Sequence, residues 1–183
     1  MRSVFAIFGS PRAQSFSAEL HQAFLAPIRQ AGFSVTEFHP CRENFSACTG
    51  CGICANAACV YNDAVSRAYE GIANCSLVSV SAPVYFSSLP AQLKAAIDRC
   101  QYLWERRTEM PRKHGFFISA AGSSYATAFT GSLLTMKHFF KTINASFTED
   151  DFILLSNSDS IAKLPEALLI KAEKLGKRYA SFI

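Results

Sequence analysis

Short apolar runs alternate along the chain with longer segments whose apolar residues recur every three or four positions. This switching predicts strands alternating with helices around a parallel sheet. Five runs have strand length and are enriched in Val, Ile, Phe or Leu, over residues 3–8, 34–38, 77–82, 115–121 and 147–155. Helices are expected over 15–31, 63–73, 90–106, 125–143 and 164–179. The first has serines near its start and Gly32 as its stop, and Pro90 suits a first helical turn because its missing amide hydrogen costs nothing there. Gly131 weakens the expectation of an unbroken fourth helix.

No repeat, low-complexity tract or Gly/Pro/Ser-rich linker divides the 183 residues, and half of them are apolar, enough to bury one sizeable core. Residues 1–183 therefore read as one α/β domain. Its exceptional segment is a cysteine-rich loop over about 40–60, longer than most connections and a candidate functional insertion. The periodicity alone admits either common order of a doubly wound sheet. In both, ligands gather at the carboxyl ends of the strands, so the segments after strands one, three and four should carry the chemistry.

After the first strand the chain reads Gly9-Ser10-Pro11-Arg12-Ala13-Gln14-Ser15-Phe16-Ser17 and enters a helix. Free amides and the positive end of the helix dipole suit a phosphate there, with hydroxyl donors on Ser10, Ser15 and Ser17 and charge on Arg12. The segment lacks both the Gly-Lys-Ser/Thr ending of a Walker loop and the G-x-G-x-x-G fingerprint, which disfavours tightly held ATP or NAD. The plain alternative is a strand-to-helix turn with a serine cap.

After the third strand comes Ala82-Pro83-Val84-Tyr85-Phe86-Ser87-Ser88-Leu89-Pro90. Together with Gly9-Ser10-Pro11-Arg12, this segment resembles the NAD(P)H-dependent FMN reductase family, over residues 3 to about 147. The resemblance implies a flavodoxin-like three-layer sandwich with a five-stranded parallel sheet in the order 2-1-3-4-5. It implies that the first loop binds the FMN phosphate and that Pro83, Val84, Tyr85 and Phe86 lie beside the flavin ring. A third ligand loop is expected at Ala121, Gly122 and Ser123, where small residues allow close backbone approach. Without the phosphate loop, Tyr85 and Phe86 would read as core residues. Lys94, Asp98 and Arg99 match the family pattern too, but their spacing suits helix-surface contacts or a subunit interface as well as function, and they are left outside the site.

Seven cysteines and no apparent signal peptide favour metal ligation or redox chemistry over disulfides, and the expected compartment is the cytoplasm. Four of them form Cys48-x2-Cys51-x2-Cys54-x4-Cys59. Tight C-x2-C-x2-C runs wrap the corners of a cubane cluster, and the spacing resembles the motif of iron-sulfur flavoproteins, which implies a 4Fe-4S cluster near the FMN. Zinc held by four thiolates and metal-free thiols stay open as alternatives. Asp63 either caps the second helix or touches the cluster. Cys41, Cys75 and Cys100 lack the spacing and read as core residues or bystanders.

The formal charge of +4 is mild, and its basic residues fall mainly in 99–113 and 171–178, read as solvated helix faces ahead of a docking patch for an acidic protein or a nicotinamide phosphate, with no nucleic-acid or membrane partner expected. His21, His39, His114 and His138 show no pairing with a nucleophile and read as structural. That absence agrees with a flavin mechanism, in which hydride arrives at the cofactor directly. The resemblance implies NAD(P)H as a transient cosubstrate, a homodimer or homotetramer, a ferredoxin-like donor and a small-molecule acceptor. An NAD(P)H-dependent FMN or quinone reductase without a cluster, a noncatalytic electron carrier, and a zinc-stabilised interaction protein on the same fold are the competing readings.

Overall fold

The computed structural model describes residues 2–183. In β1 (Ser3–Phe8), Val4, Ala6 and Phe8 join one apolar layer while Phe5 and Ile7 join the other, all five buried. That pattern belongs to a parallel strand covered by helices on both faces. β1 pairs in parallel with β2 (Ser34–Phe38) on one side and β3 (Leu77–Pro83) on the other, and β3 pairs with β4 (Lys113–Ala120). The order is β2-β1-β3-β4 with a fifth position beyond β4, the flavodoxin-like order.

The fifth position departs from the expected single strand at 147–155. It consists of β5 (Ala145–Ser146), opposite Lys113 and His114, and β6 (Phe152–Leu155), opposite Phe117 to Ala120. Between them Thr148 and Asp151 form a capping box around a 3-10 turn at Glu149–Asp151, with the Thr148 amide donating to Asp151 Oδ2 at 2.6 Å. The turn satisfies its own donors locally, so the chain leaves the ladder for that stretch.

One face of the sheet carries α1 (Phe16–Gln30) and α6 (Glu166–Phe182), and the other carries α2 (Ala64–Asn74), α3 (Ala91–Arg99) and α5 (Thr130–Thr142). A Cβ on Gly176 of α6 would lie 2.1 Å from the Phe24 carbonyl oxygen of α1, so these two helices touch backbone to side-chain-free backbone.

The helix expected over 90–106 is interrupted at Cys100, whose amide bonds Ile97 O three residues back, and a short α4 (Gln101–Trp104) follows. The helix expected from 125 begins at Thr130, after turns in which the Ala128 amide bonds Tyr125 O. Among the described residues no helix is long and apolar enough to cross a membrane.

The basic segment 99–113 is not simply a solvated face. Arg99 is buried, Arg106 donates to the Cys54 and Ala57 carbonyls, and buried Lys113 donates to Pro111 O and Ile143 O. Three of its cations serve internal ties that spacing alone could not reveal.

Candidate functional site

The loops that follow β1, β3, β4 and β6 meet at the carboxyl edge of the sheet, joined by backbone hydrogen bonds. Gly9 N donates to Ser81 O at 2.7 Å, Val84 N to Ala120 O at 2.8 Å, Ala121 N to Leu155 O at 2.8 Å and Asn157 N to Ser123 O at 2.9 Å. Together they enclose a cavity of about 820 Å³. Ser10, Arg12, Ser15, Ser17, Pro83, Val84, Tyr85, Phe86, Ala121, Gly122 and Ser123 all line it. Sequence reasoning missed Gln14, Glu19, Ser87, Ser158 and Asp159, which line it too. The polar run after Leu155, Ser-Asn-Ser-Asp-Ser, was the available signal for the last two: it follows a strand at the same edge.

At one end Ser15 caps α1 from an extended backbone, its Oγ accepting the Ala18 amide at 3.3 Å and lying 3.4 Å from Ser17 Oγ. The other amides of a first helical turn have no intrahelical acceptor, and the helix dipole adds positive potential there. Ser10 Oγ accepts the Arg12 amide at 3.2 Å, while the Arg12 side chain remains exposed and free to swing onto an anion. The serine cap and the turn that offers these free amides are thus one structure.

Beneath this loop His21 is fully buried between two hydroxyls, with Nδ1 2.9 Å from Ser81 Oγ and Nε2 2.8 Å from Ser79 Oγ, and it packs against Phe8. Burial, with smaller contributions from Arg29 and His39, pushes its pKa down to about 3. The folded protein therefore keeps His21 neutral where the unfolded chain protonates it. As pH falls below 6.5 the unfolded state binds the extra proton, so this residue removes about 1.4 kcal/mol of stability per pH unit until near pH 3. Urea midpoints between pH 6 and 4.5 should slope less in His21→Gln than in the parent; equal slopes would refute the assignment.

The wall that follows β3 is a tight turn. Tyr85 and Ser88 exchange two backbone hydrogen bonds of 2.9 Å, with Phe86 and Ser87 at φ of 50° and 57°. Ser87 O accepts the Gly131 amide at 2.9 Å, and a Cβ on Gly131 would sit 2.5 Å from that oxygen, so α5 can brace the turn only with glycine there. Phe86 is wholly exposed and Tyr85 is 38% exposed, which excludes the core reading for both. A left-handed phenylalanine is strained, and such strain gathers at ligand sites. Phe86→Gly should raise the melting temperature of the flavin-free protein by 2–4 °C, the equivalent of about 1 kcal/mol. A lower melting temperature would show that the Phe86 side chain supports the fold.

The cysteine loop lies elsewhere. Cys48, Cys51, Cys54 and Cys59 line a separate hollow of about 180 Å³, with Tyr61, Arg99 and Gln101 in its walls, and it shares no lining residue with the large cavity. All seven cysteines are free, Cys48 and Cys51 exposed, Cys54 and Cys59 half-buried. Among the described residues no three His, Cys, Asp or Glu side chains converge on one ion. A cubane takes one thiolate at each iron, so its ligands ring a volume instead of converging on a point. The donor set fits such a group in kind and number.

Asp63 caps α2, with Oδ1 accepting the Val65 and Ser66 amides at 3.1 and 3.2 Å. It also anchors the start of the cysteine loop through the Ser46 amide and pairs with Arg99 at 2.8 Å. Burial would raise its pKa, but the Arg99 and backbone hydrogen bonds win and hold the carboxyl down at about 2. Cys75 and Cys100 are buried, and burial pushes their thiols up to about 11 and about 12, so they remain protonated core residues. Cys41, half-buried, donates to Gly9 O at 3.3 Å and steadies the first residue of the anion loop.

A profile of the family described as NADPH-dependent FMN reductase matches residues 2–157. An iron-sulfur flavoprotein of Archaeoglobus fulgidus is 31% identical over 117 residues, covering 63% of this chain and 53% of the relative. Another iron-sulfur flavoprotein, from Methanosarcina thermophila, is 32% identical over 118 residues, covering 64% and 62%. The match thus spans between half and two thirds of these relatives' own length. Among solved structures, an NAD(P)H:quinone oxidoreductase from Methanothermobacter marburgensis superposes with a TM-score of 0.75 at 18% identity, covering 97% of this chain and 95% of that one. An FMN-dependent NADH-azoreductase from Bacillus anthracis, solved with FMN, gives 0.67 at 14% identity, covering 99% and 98%. At such identities the likeness establishes the flavodoxin-like fold, while the profile spans β1 to β6 and every wall of the large cavity except Ser158, Asp159 and Ala162. The chain belongs to the NADPH-dependent FMN reductase family.

Proposed function

We propose that this chain is an FMN-dependent oxidoreductase that takes electrons from NAD(P)H or a reduced carrier and passes them through a 4Fe-4S cluster on Cys48, Cys51, Cys54 and Cys59 to an acceptor. The carrying observation is the strand-end cavity, with an anion cradle at one end and an aromatic turn at the other. Its volume suits a single cofactor.

Ser10, Arg12, Ser15 and Ser17 would hold the FMN phosphate. Pro83 to Phe86 and Ala121 to Ser123 would hold the ring, with backbone groups at its polar edge and Tyr85 and Phe86 on its apolar surface. Bound FMN supplies two-electron acceptance from a nicotinamide and one-electron release. The protein's own task is orientation and exclusion of water, which needs no dedicated acid or base. The four thiolates would hold the cluster, which would supply a one-electron outlet.

Exposed Phe86 and Tyr125 leave apolar surface beside the cavity, which supports a homo-oligomer whose second copy covers that rim. Residues 1–183 act as one unit in this reading.

The test is anaerobic stopped-flow mixing of the FMN-loaded protein with NADPH or NADH. Rapid loss of flavin absorbance is the expected result. Reduction only by a ferredoxin-type donor would make the chain an electron carrier.

A further inference from the structure

Arg99 is the most heavily committed cation in the molecule, and one of its donors has no partner. Its side chain is 1% exposed, beneath the cysteine hollow whose wall it forms. Nη1 donates to Ser46 O at 2.7 Å and Asp63 Oδ2 at 2.8 Å, while Nη2 donates to Asp63 Oδ1 at 3.3 Å and Ser66 Oγ at 3.0 Å. The guanidinium also lies 4.7 Å from the centre of the Tyr61 ring, another wall of the hollow. Nε is buried without a hydrogen-bond partner, alone in this among the described side chains. Leaving a charged group's N–H buried and unpaired is costly, and a native structure retains it where a further ligand completes the set.

The hollow that Arg99 helps to wall is lined by four sulfurs, those of Cys48, Cys51, Cys54 and Cys59. Ser46 and Asp63 fix the plane of the guanidinium from the two ends of the cysteine loop, so Arg99 cannot turn Nε elsewhere without breaking the clamp.

We propose that Arg99 is a positioning residue for the group held by the cysteine loop, donating its Nε–H to a ligand sulfur and thereby raising that group's reduction potential. The inference rests on the cluster reading above. Hydrogen bonds and positive charge at the sulfurs favour the more negative, reduced state. Asp63 is then the residue that aims Arg99, in addition to capping α2.

The test is pulsed EPR of the reduced, iron-loaded protein carrying arginine labelled with nitrogen-15 at Nε. A weakly coupled nitrogen-15 is expected in the parent and absent from Arg99→Lys, which keeps the charge and loses that donor. The midpoint potential of Arg99→Lys should fall by about 60 mV, a tenfold change in a one-electron equilibrium. Asp63→Asn retains a good helix cap and should keep the coupling in weakened form. It serves as the second variant if Arg99→Lys does not fold. No nitrogen coupling in the loaded parent overturns the inference and leaves the cluster reading intact. A parent that takes up no iron overturns both.

Discussion

Cys51→Ser protein, prepared without oxygen, is expected to carry FMN at the parent's stoichiometry and to have lost its iron and sulfide. The argument is geometric. The cysteine hollow and the strand-end cavity share no wall, so deleting one thiolate leaves the anion cradle, the aromatic turn and the loops between them untouched. Cys51 is exposed and packs against no core, so its replacement by an isosteric hydroxyl carries little cost in folding. A hard alcohol is a poor substitute for a thiolate at iron, and the compact loop holds only three other sulfurs. Simultaneous loss of flavin would show that the two sites are one structural unit. Unchanged iron would place the metal, if present, on other residues.

The second large effect is expected at the phosphate end. Arg12→Ala should weaken FMN binding by about tenfold, or 1.4 kcal/mol, the low end for a charge-assisted hydrogen bond because this side chain reaches the ligand from solvent. Riboflavin has the same ring and no phosphate, so its affinity should be unchanged. Fluorescence titration of both ligands into both proteins decides this. An equal loss for the two would move Arg12 from the phosphate to the ring, and no loss for either would remove it from the site.

Sequence and structure agree most closely where one physical signal acts alone. β1 and β2 occupy the expected residues because β-rich runs bounded by turns admit no other element. The meeting of the three loops at one cavity was legible because strand ends in such a sheet point the same way, so loops distant in sequence become neighbours. The fifth strand was misread because 147–155 is apolar at both ends and the Thr148–Asp151 capping box in its middle outweighs the apolar run.

Arg99 was left outside the site, its spacing suiting a helix surface or a subunit interface as well as function, whereas it is buried against the cysteine loop. Its partners Ser46, Asp63 and Ser66 lie 53, 36 and 33 residues away, beyond any local pattern. Asp63 was left between two roles, and the structure gives it the cap together with the tie to Arg99. The strain at Phe86 was invisible because a Tyr-Phe-Ser-Ser stretch carries no glycine to announce positive φ.

The most direct test of the account is an absorbance spectrum with FMN, iron, sulfide and zinc quantified on the same anaerobically purified sample. The account predicts flavin bands over a broad cluster absorbance, with one FMN and four iron and four sulfide per chain as expected for a single cubane. Protein that binds no flavin even after FMN is added would contradict it.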